Sequence, residues 1–122
     1  MKNIPKIMHA VLLPGHGGLE KLEYKTDVEV PVPKDDEVLI KVSAAGINNT
    51  DINTRTAWYS KYKSNVGGSW SGVPLKFPRI QGADVCGFIV SVGSKVNKSR
   101  IEERVIARTM QSDPKNPASP NM

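Results

Sequence analysis

The chain has 122 residues, of which 39% are hydrophobic and 24% are charged. This length suits one domain without room for a second of ordinary size, and the composition is too apolar for a disordered chain. No apolar run is long enough to span a bilayer, and the first ten residues lack the apolar core of a signal peptide. These features argue against a membrane partner and predict a cytoplasmic protein.

Net charge and cysteine content limit which partners and metal sites the chain can have. Seventeen basic and twelve acidic residues give a net charge of +5, with the lysines spread along the chain. The nearest approach to a basic aromatic patch is formed by Trp58, Tyr59, Lys61, Tyr62 and Lys63. One such patch is explained better by a solvated loop than by a nucleic-acid surface, so no nucleic-acid partner is expected. The single cysteine excludes an internal disulfide and a cysteine-cluster zinc site.

Apolar runs that alternate or are rich in β-branched residues predict strands over residues 8–13, 22–32, 37–44, 87–92 and 104–108. Turn residues separate these segments, including the Gly-His-Gly-Gly turn at residues 15–18. Gly82, Gly87 and Gly93 punctuate the second half, where we expect positive φ or close approach of two backbones. Short strands at this spacing favour a small antiparallel barrel.

The middle and the end of the chain do not show the strand pattern. Residues 48–59 are polar with a helical spacing that predicts one short helix, which Thr50 could cap. Residues 60–77 are predicted as a long loop. From Ser112 the residues are mainly Pro, Ser and Asn, which predicts a loop or linker. We assign residues 1–111 to one domain and 112–122 to that linker.

Two segments carry a resemblance to a known family. Residues 38–51 form a predicted strand followed by Gly46-Ile-Asn-Asn-Thr-Asp51, and residues 77–96 contain Pro78-Arg-Ile-Gln-Gly-Ala-Asp-Val-Cys-Gly87. Together they resemble the strand and turn, and the Pro-x-x-x-Gly-x-[Glu/Asp]-x-x-Gly signature, of the medium-chain dehydrogenase/reductase family. The resemblance covers residues 7–108 and implies a mainly β, GroES-like antiparallel barrel with a short helix. In that family a Rossmann domain follows, which this chain lacks, so we expect a truncated protein.

The same resemblance bears on metal binding. Zinc-dependent members carry Cys where this chain has Asn48 and His where it has Ala83, while Asp84 stands at a Glu position. Alanine has no donor atom and a neutral amide is a poor substitute for a thiolate. We therefore expect no zinc and no metal-binding residues. Glu102 departs from the family differently, since it stands at the glycine of a Gly-Asp-Arg-Val turn.

The resemblance also implies a catalytic site around the predicted helix start. It places Asn48, Thr50 and Asp51 beside the nicotinamide and the substrate, where Asn48 could donate a hydrogen bond to a carbonyl oxygen and Thr50 could relay a proton. Asp51 could orient the turn or bind Arg55. Tyr59 is a further candidate proton donor, or it flanks the pocket. The alternative is structural: Thr50 caps the helix, and Asp51 strengthens its start.

Cofactor contacts are predicted at Asn48, Asn49 and Arg55, with NAD(P) bound mainly by the missing domain. The parent protein is expected to be an NAD(P)-dependent, zinc-independent alcohol dehydrogenase or quinone or enone reductase, acting on small carbonyl, enone, quinone or alcohol substrates. The chain alone should be inactive because it contains no Gly-x-Gly-x-x-Gly fingerprint, and a homo-oligomer is a further expectation. The rival hypothesis is a non-catalytic GroES-like binding module, which the polar residues 60–72 argue against. A nucleic-acid-binding barrel is the second rival.

Overall fold

A computed structural model describes residues 3–58 and 75–107, together with the backbone of two short strands near the end of the chain. The elements in chain order are β1 (Ile7–Leu13), β2 (Glu23–Glu29), β3 (Val38–Ala44), α1 (Asn49–Arg55), β4 (Arg79–Ile80), β5 (Val85–Val92), β6 (Arg104–Ala107), β7 (Ser112–Asp113) and β8 (Asn116–Pro120). Two 3-10 turns, Leu19–Lys21 and Lys98–Arg100, connect strands. Tyr59 and residues 60–74 of the predicted loop lie outside the described residues.

Two three-stranded antiparallel sheets form the body of the fold. One has the order β2-β1-β4 and the other the order β3-β5-β6. In the second sheet Ile40 lies opposite Ile89, and Gly87 lies opposite both Val42 and Val105. The prediction of a mainly β, antiparallel domain with one short helix is therefore confirmed.

Alternation along the strands explains where the core lies. In β1 every second side chain from Met8 to Leu12 is at least half-buried, and the strand ends at the fully buried Leu13. In the other sheet Ile89 of β5 is fully buried. These strands are rich in apolar and β-branched residues, which fit a pleated strand that is covered on one face. Among the described residues Leu13 and Ile89 are the large hydrophobic side chains that are fully buried, whereas Ile47 is 88% exposed and Ile106 is 82% exposed. The fold thus presents apolar surface to its surroundings.

Close backbone approach accounts for glycine at one position in the second sheet. A Cβ atom at Gly87 would overlap the carbonyl oxygen of Lys41 on β3, so no larger residue fits the observed register. Gly82 has a φ of +129°, a region that side chains disfavour. Both positions agree with the expectation from the sequence.

Three local features differ from the sequence predictions. β2 ends at Glu29, because Pro31 and Pro33 follow and proline donates no hydrogen bond to a ladder. The two-residue β4 was not predicted, and it pairs with the end of β1. In place of the expected irregular linker, β7 and β8 pair as an antiparallel hairpin; the proposed boundary after residue 111 stays a prediction. Across the described residues no helix is long and apolar enough to cross a membrane.

Candidate functional site

The start of α1 is held by a reciprocal capping arrangement. Asn48 is the N-cap: its side-chain Oδ1 accepts a hydrogen bond from the Thr50 N–H at 2.8 Å. In return the Asp51 carboxylate accepts from the Asn48 N–H, also at 2.8 Å. The prediction that Thr50 caps the helix is therefore wrong. Asn48 and Asp51 have the spacing of a capping box, in which the first residue caps and the fourth reaches back, and that signal was present in the sequence.

The Asn48 side chain makes a second contact outside the helix. Its Nδ2 donates to Oδ2 of Asp84, 36 residues away, at 3.2 Å. Both ends of the amide are thus engaged, yet Nδ2 carries two hydrogens and Asp84 takes only one of them. Asn48 itself is exposed and Asp84 is half-buried. The arrangement can offer one oriented amide N–H to a ligand.

Gln81 is a site residue that sequence reasoning missed. Its Nε2 donates to the Asp51 carbonyl oxygen, which ties the segment after β4 to the first turn of α1. Its Oε1 is buried without a hydrogen-bond partner. Nearby on β4, the Nε atom of Arg79 is also buried without a partner, and burial lowers the pKa of Arg79 from its ordinary value. Only the position of Gln81 immediately before the motif glycine Gly82 could have drawn attention to it.

The other end of α1 is anchored to the glycine-rich turn after β1. Arg55 is only 9% exposed, and its Nη1 donates to the Gly17 carbonyl oxygen at 2.9 Å, while the Gly17 N–H donates to the Arg55 carbonyl at 3.0 Å. His16 lies 2.9 Å from the Thr54 carbonyl oxygen through Nδ1, and its ring meets Phe77 edge-on at 5.0 Å. These contacts fix the helix against two other segments of the chain.

The structure brings together three of the predicted catalytic residues, Asn48, Thr50 and Asp51, at the start of α1. Asn49 lies in the same turn and is exposed. Arg55 lies at the opposite end of the helix in a structural contact, and the cofactor-binding role predicted for it stays a prediction. Of the two roles considered for Asp51, the structure shows the first, orientation of the turn. Tyr59 lies outside the described residues.

Three residues stand where zinc-dependent members of the family have Cys, His and Glu. Asn48 presents an amide, Ala83 a methyl group and Asp84 a carboxylate. Ala83 supplies no ligand atom, and the Asp84 carboxylate already accepts a hydrogen bond from Asn48. Among the residues that the structure describes, no three His, Cys, Asp or Glu side chains are grouped so that they could hold a metal ion. This donor set fits zinc poorly, since zinc sites in proteins take three or four nitrogen, sulfur or carboxylate ligands.

Comparison with known proteins gives consistent matches over most of the chain. A family model for the alcohol dehydrogenase GroES-like domain matches residues 34–120. A chloroplastic quinone-oxidoreductase homolog of Spinacia oleracea is 37% identical over 102 residues, 84% of this chain and 28% of that protein. A chloroplastic NADPH-dependent alkenal/one oxidoreductase of Arabidopsis thaliana is 32% identical over 89% of this chain and 25% of its own length.

The crystal structure of a candidate alcohol dehydrogenase from Sinorhizobium meliloti superposes on the fold with a TM-score of 0.76 at 49% identity. That match covers 87% of this chain and 30% of the other protein. The chain thus spans about 28% of the length of the first curated relative that it matches. The similarity therefore concerns one part of much longer proteins.

Proposed function

The chain belongs to the family of alcohol dehydrogenase GroES-like domains, and from that premise we propose that it is the substrate-binding and catalytic part of an NAD(P)-dependent, zinc-independent oxidoreductase. The relatives' names support quinones and alkenals or enones as the substrate class, and alcohols in the reverse direction. The chain itself is inactive under this proposal, because no dinucleotide fingerprint occurs in its sequence. The cytoplasmic location and a homo-oligomeric state stay predictions.

The observation that carries the proposal is the bond between Asn48 and Asp84 at 3.2 Å. At the positions where zinc-dependent members of the family hold Cys and Glu, this chain has an amide and a carboxylate that satisfy each other, with Ala83 beside them. The Asp84 carboxylate is engaged by a neutral amide and Ala83 offers no ligand atom, which supports a site without zinc. Substrate polarisation then depends on hydrogen-bond donors of the protein.

In the complete protein a bound nicotinamide supplies the hydride. The remaining hydrogen of Asn48 Nδ2 donates to the substrate carbonyl oxygen, where negative charge develops as the carbon accepts the hydride. The Thr50 hydroxyl relays the proton that completes the reduction, taking one from solvent as it gives its own to the substrate, and Asp51 holds the turn in place. Asn49 is exposed in the same turn and contacts the cofactor. Arg55 is a second proposed cofactor contact, and Tyr59 is a further proposed proton donor.

The experiment compares substitutions in the full-length protein that separate catalysis from capping. Asn48→Ser keeps a good N-cap but removes the amide donor, and Thr50→Val keeps the shape but removes the hydroxyl. We expect each to lower kcat for NAD(P)H-dependent reduction of a quinone by about a hundredfold or more, with little change in Tm. Turnover within twofold of the parent in both variants would contradict the assigned roles.

The zinc-free part of the proposal has its own measurement. Elemental analysis of the full-length protein, purified without chelator, should show less than stoichiometric zinc, and turnover should survive dialysis against a chelator. One tightly bound zinc per chain, lost together with activity, would overturn this part. Absence of any NAD(P)H-dependent turnover in the folded full-length protein would instead favour the non-catalytic binding module.

A further inference from the structure

The connection between β4 and β5 touches the capping arrangement of α1 at two points. Gln81 donates to the carbonyl oxygen of Asp51, and Asp84 accepts from the side chain of Asn48. The two partners in α1 are the first and fourth residues of the same turn, and they are bonded to each other. One short segment therefore supports both ends of the turn that carries the proposed donor.

These contacts determine which way the Asn48 amide faces. Oδ1 accepts from the Thr50 N–H at 2.8 Å, and Nδ2 donates to the Asp84 carboxylate at 3.2 Å. If the amide were flipped, its NH2 would face a backbone N–H and its oxygen would face a carboxylate, and both contacts would be repulsive. The cap alone leaves Nδ2 free to swing with the side chain, so the carboxylate is what fixes the second end of the amide.

The backbone around Asp84 is arranged so that this contact fits. Gly46 lies against it closely enough that a Cβ atom at that position would be 3.0 Å from Oδ2 of Asp84. Asp84 is half-buried between this turn and the start of β5. A carboxylate held in this way has little freedom to leave its partner.

We propose that Asp84 is a positioning residue, which aims the second Nδ2 hydrogen of Asn48 at the substrate oxygen. The inference rests on the proposed function of Asn48 as the substrate donor. Asp84 acts through Asn48, and Gln81 supports it by holding the Asp51 carbonyl. Removal of the carboxylate leaves the amide attached only at its oxygen, so the donor is misaligned in the transition state, where its contribution matters.

The test is a set of variants of the full-length protein, assayed for NAD(P)H-dependent reduction of one quinone. Asp84→Ala should lower kcat by about tenfold, as loss of an orienting partner does at metal sites, with KM within about twofold. Asp84→Asn retains an oxygen that accepts from Asn48 and should recover most of the lost kcat. Asp36→Ala removes an exposed carboxylate in the turn before β3 and serves as the matched control with unchanged kcat.

A double-mutant cycle then decides whether Asp84 acts through Asn48. In an Asn48→Ser background, Asp84→Ala should cause no further loss of kcat, because the group that it orients is already gone. An equal loss in both backgrounds would overturn the inference. So would failure of Asp84→Asn to recover kcat while its Tm is that of the parent, since the negative charge and not the acceptor would then matter.

A spectroscopic measurement does not depend on turnover. In the isotope-labelled protein, the two side-chain amide protons of Asn48 should differ in chemical shift, and Asp84→Ala should bring them closer together, whereas Asp36→Ala should not. Unchanged Asn48 amide resonances in Asp84→Ala would overturn the positioning role. Normal kcat in Asn48→Ser would overturn the proposed function as well, whereas normal kcat in Asp84→Ala beside a low kcat in Asn48→Ser would overturn the inference alone.

Discussion

Gly17 and Arg55 hold each other through two hydrogen bonds that run in opposite directions. The guanidinium of Arg55 donates to the Gly17 carbonyl oxygen at 2.9 Å, and the Gly17 N–H donates to the Arg55 carbonyl oxygen at 3.0 Å. The pair joins residues 38 positions apart and fastens the end of α1 to the turn after β1. Because Arg55 is nearly buried, its guanidinium needs a hydrogen-bond acceptor inside the fold, and the Gly17 carbonyl oxygen supplies one.

Replacement of Arg55 should therefore destabilise the fold. Arg55→Met keeps the aliphatic part of the side chain but removes the donor, so the free energy of unfolding should fall by about 2 kcal/mol, the usual contribution of a hydrogen bond to a charged group. Urea denaturation followed by circular dichroism measures the change. Arg104→Met, at an exposed position on β6, is the control and should change stability by less than about 0.5 kcal/mol. Equal effects of the two substitutions would contradict the anchoring role.

The close approach of β3 and β5 predicts that alanine destabilises the fold at Gly87 but is tolerated at Gly15. In Gly87→Ala the new methyl group would overlap the Lys41 carbonyl oxygen and lie 2.8 Å from Cγ2 of Ile40. The strands must separate, which should cost about 2–3 kcal/mol. Gly15 has no atom within 4 Å of the corresponding position, so Gly15→Ala should stay within about 0.5 kcal/mol of the parent. Thermal unfolding of both variants side by side tests this difference.

Glu102 occupies a left-handed conformation, with φ of +76°. Its backbone N–H donates to the Ile89 carbonyl oxygen at 2.8 Å, which holds the residue in that conformation. A side chain is disfavoured there by roughly 1–2 kcal/mol, partly offset because glycine loses more entropy on folding. Glu102→Gly should therefore raise the free energy of unfolding by about 0.5–1 kcal/mol.

The neighbouring substitution Glu103→Gly is the control for Glu102. Glu103 pairs with Arg100 at 2.7 Å, so its replacement should lower stability. Differential scanning calorimetry of the two variants should move Tm in opposite directions. A lower Tm for Glu102→Gly would show that the strained conformation contributes no measurable cost.

The Glu20 carboxylate predicts that the stability of the fold depends on pH in the acidic range. Its carboxylate accepts hydrogen bonds from its own N–H and from the Gly18 N–H, and these lower the pKa of Glu20 below its ordinary value of 4.5. An acid with a lowered pKa stabilises the fold above its unfolded-state pKa, and that contribution is lost as pH falls. The stability difference between the parent and Glu20→Gln should be constant above pH 4.5 and should shrink below it. A stability difference between the two proteins that grows as the pH falls would contradict the lowered pKa of Glu20.

The sequence by itself determined the features that depend on local pattern. Runs of apolar and β-branched residues located β1 and β5, and alternation of apolar with polar residues located β3. The motif around Asn48 and the motif around Asp84 indicated the family and the position of the site. Gly87 was expected at a close approach, since a glycine inside a strand has few other physical reasons. Each of these signals lies within one short, continuous segment of the chain.

Only the tertiary structure decided which side chains meet. Asn48 and Thr50 are both good N-caps, but the capping-box spacing of Asn48 and Asp51 is local, so this choice did not need the tertiary structure. The pairing of Asn48 with Asp84 joins residues 36 positions apart, and Gln81 reaches Asp51 across 30. Local preference carries no information about such distances, because the fold brings together segments that are far apart in the sequence. Sequence alone named Asn48, Thr50 and Asp51 as site candidates, whereas the contact of Gln81 and the orientation of the Asn48 amide followed from the fold.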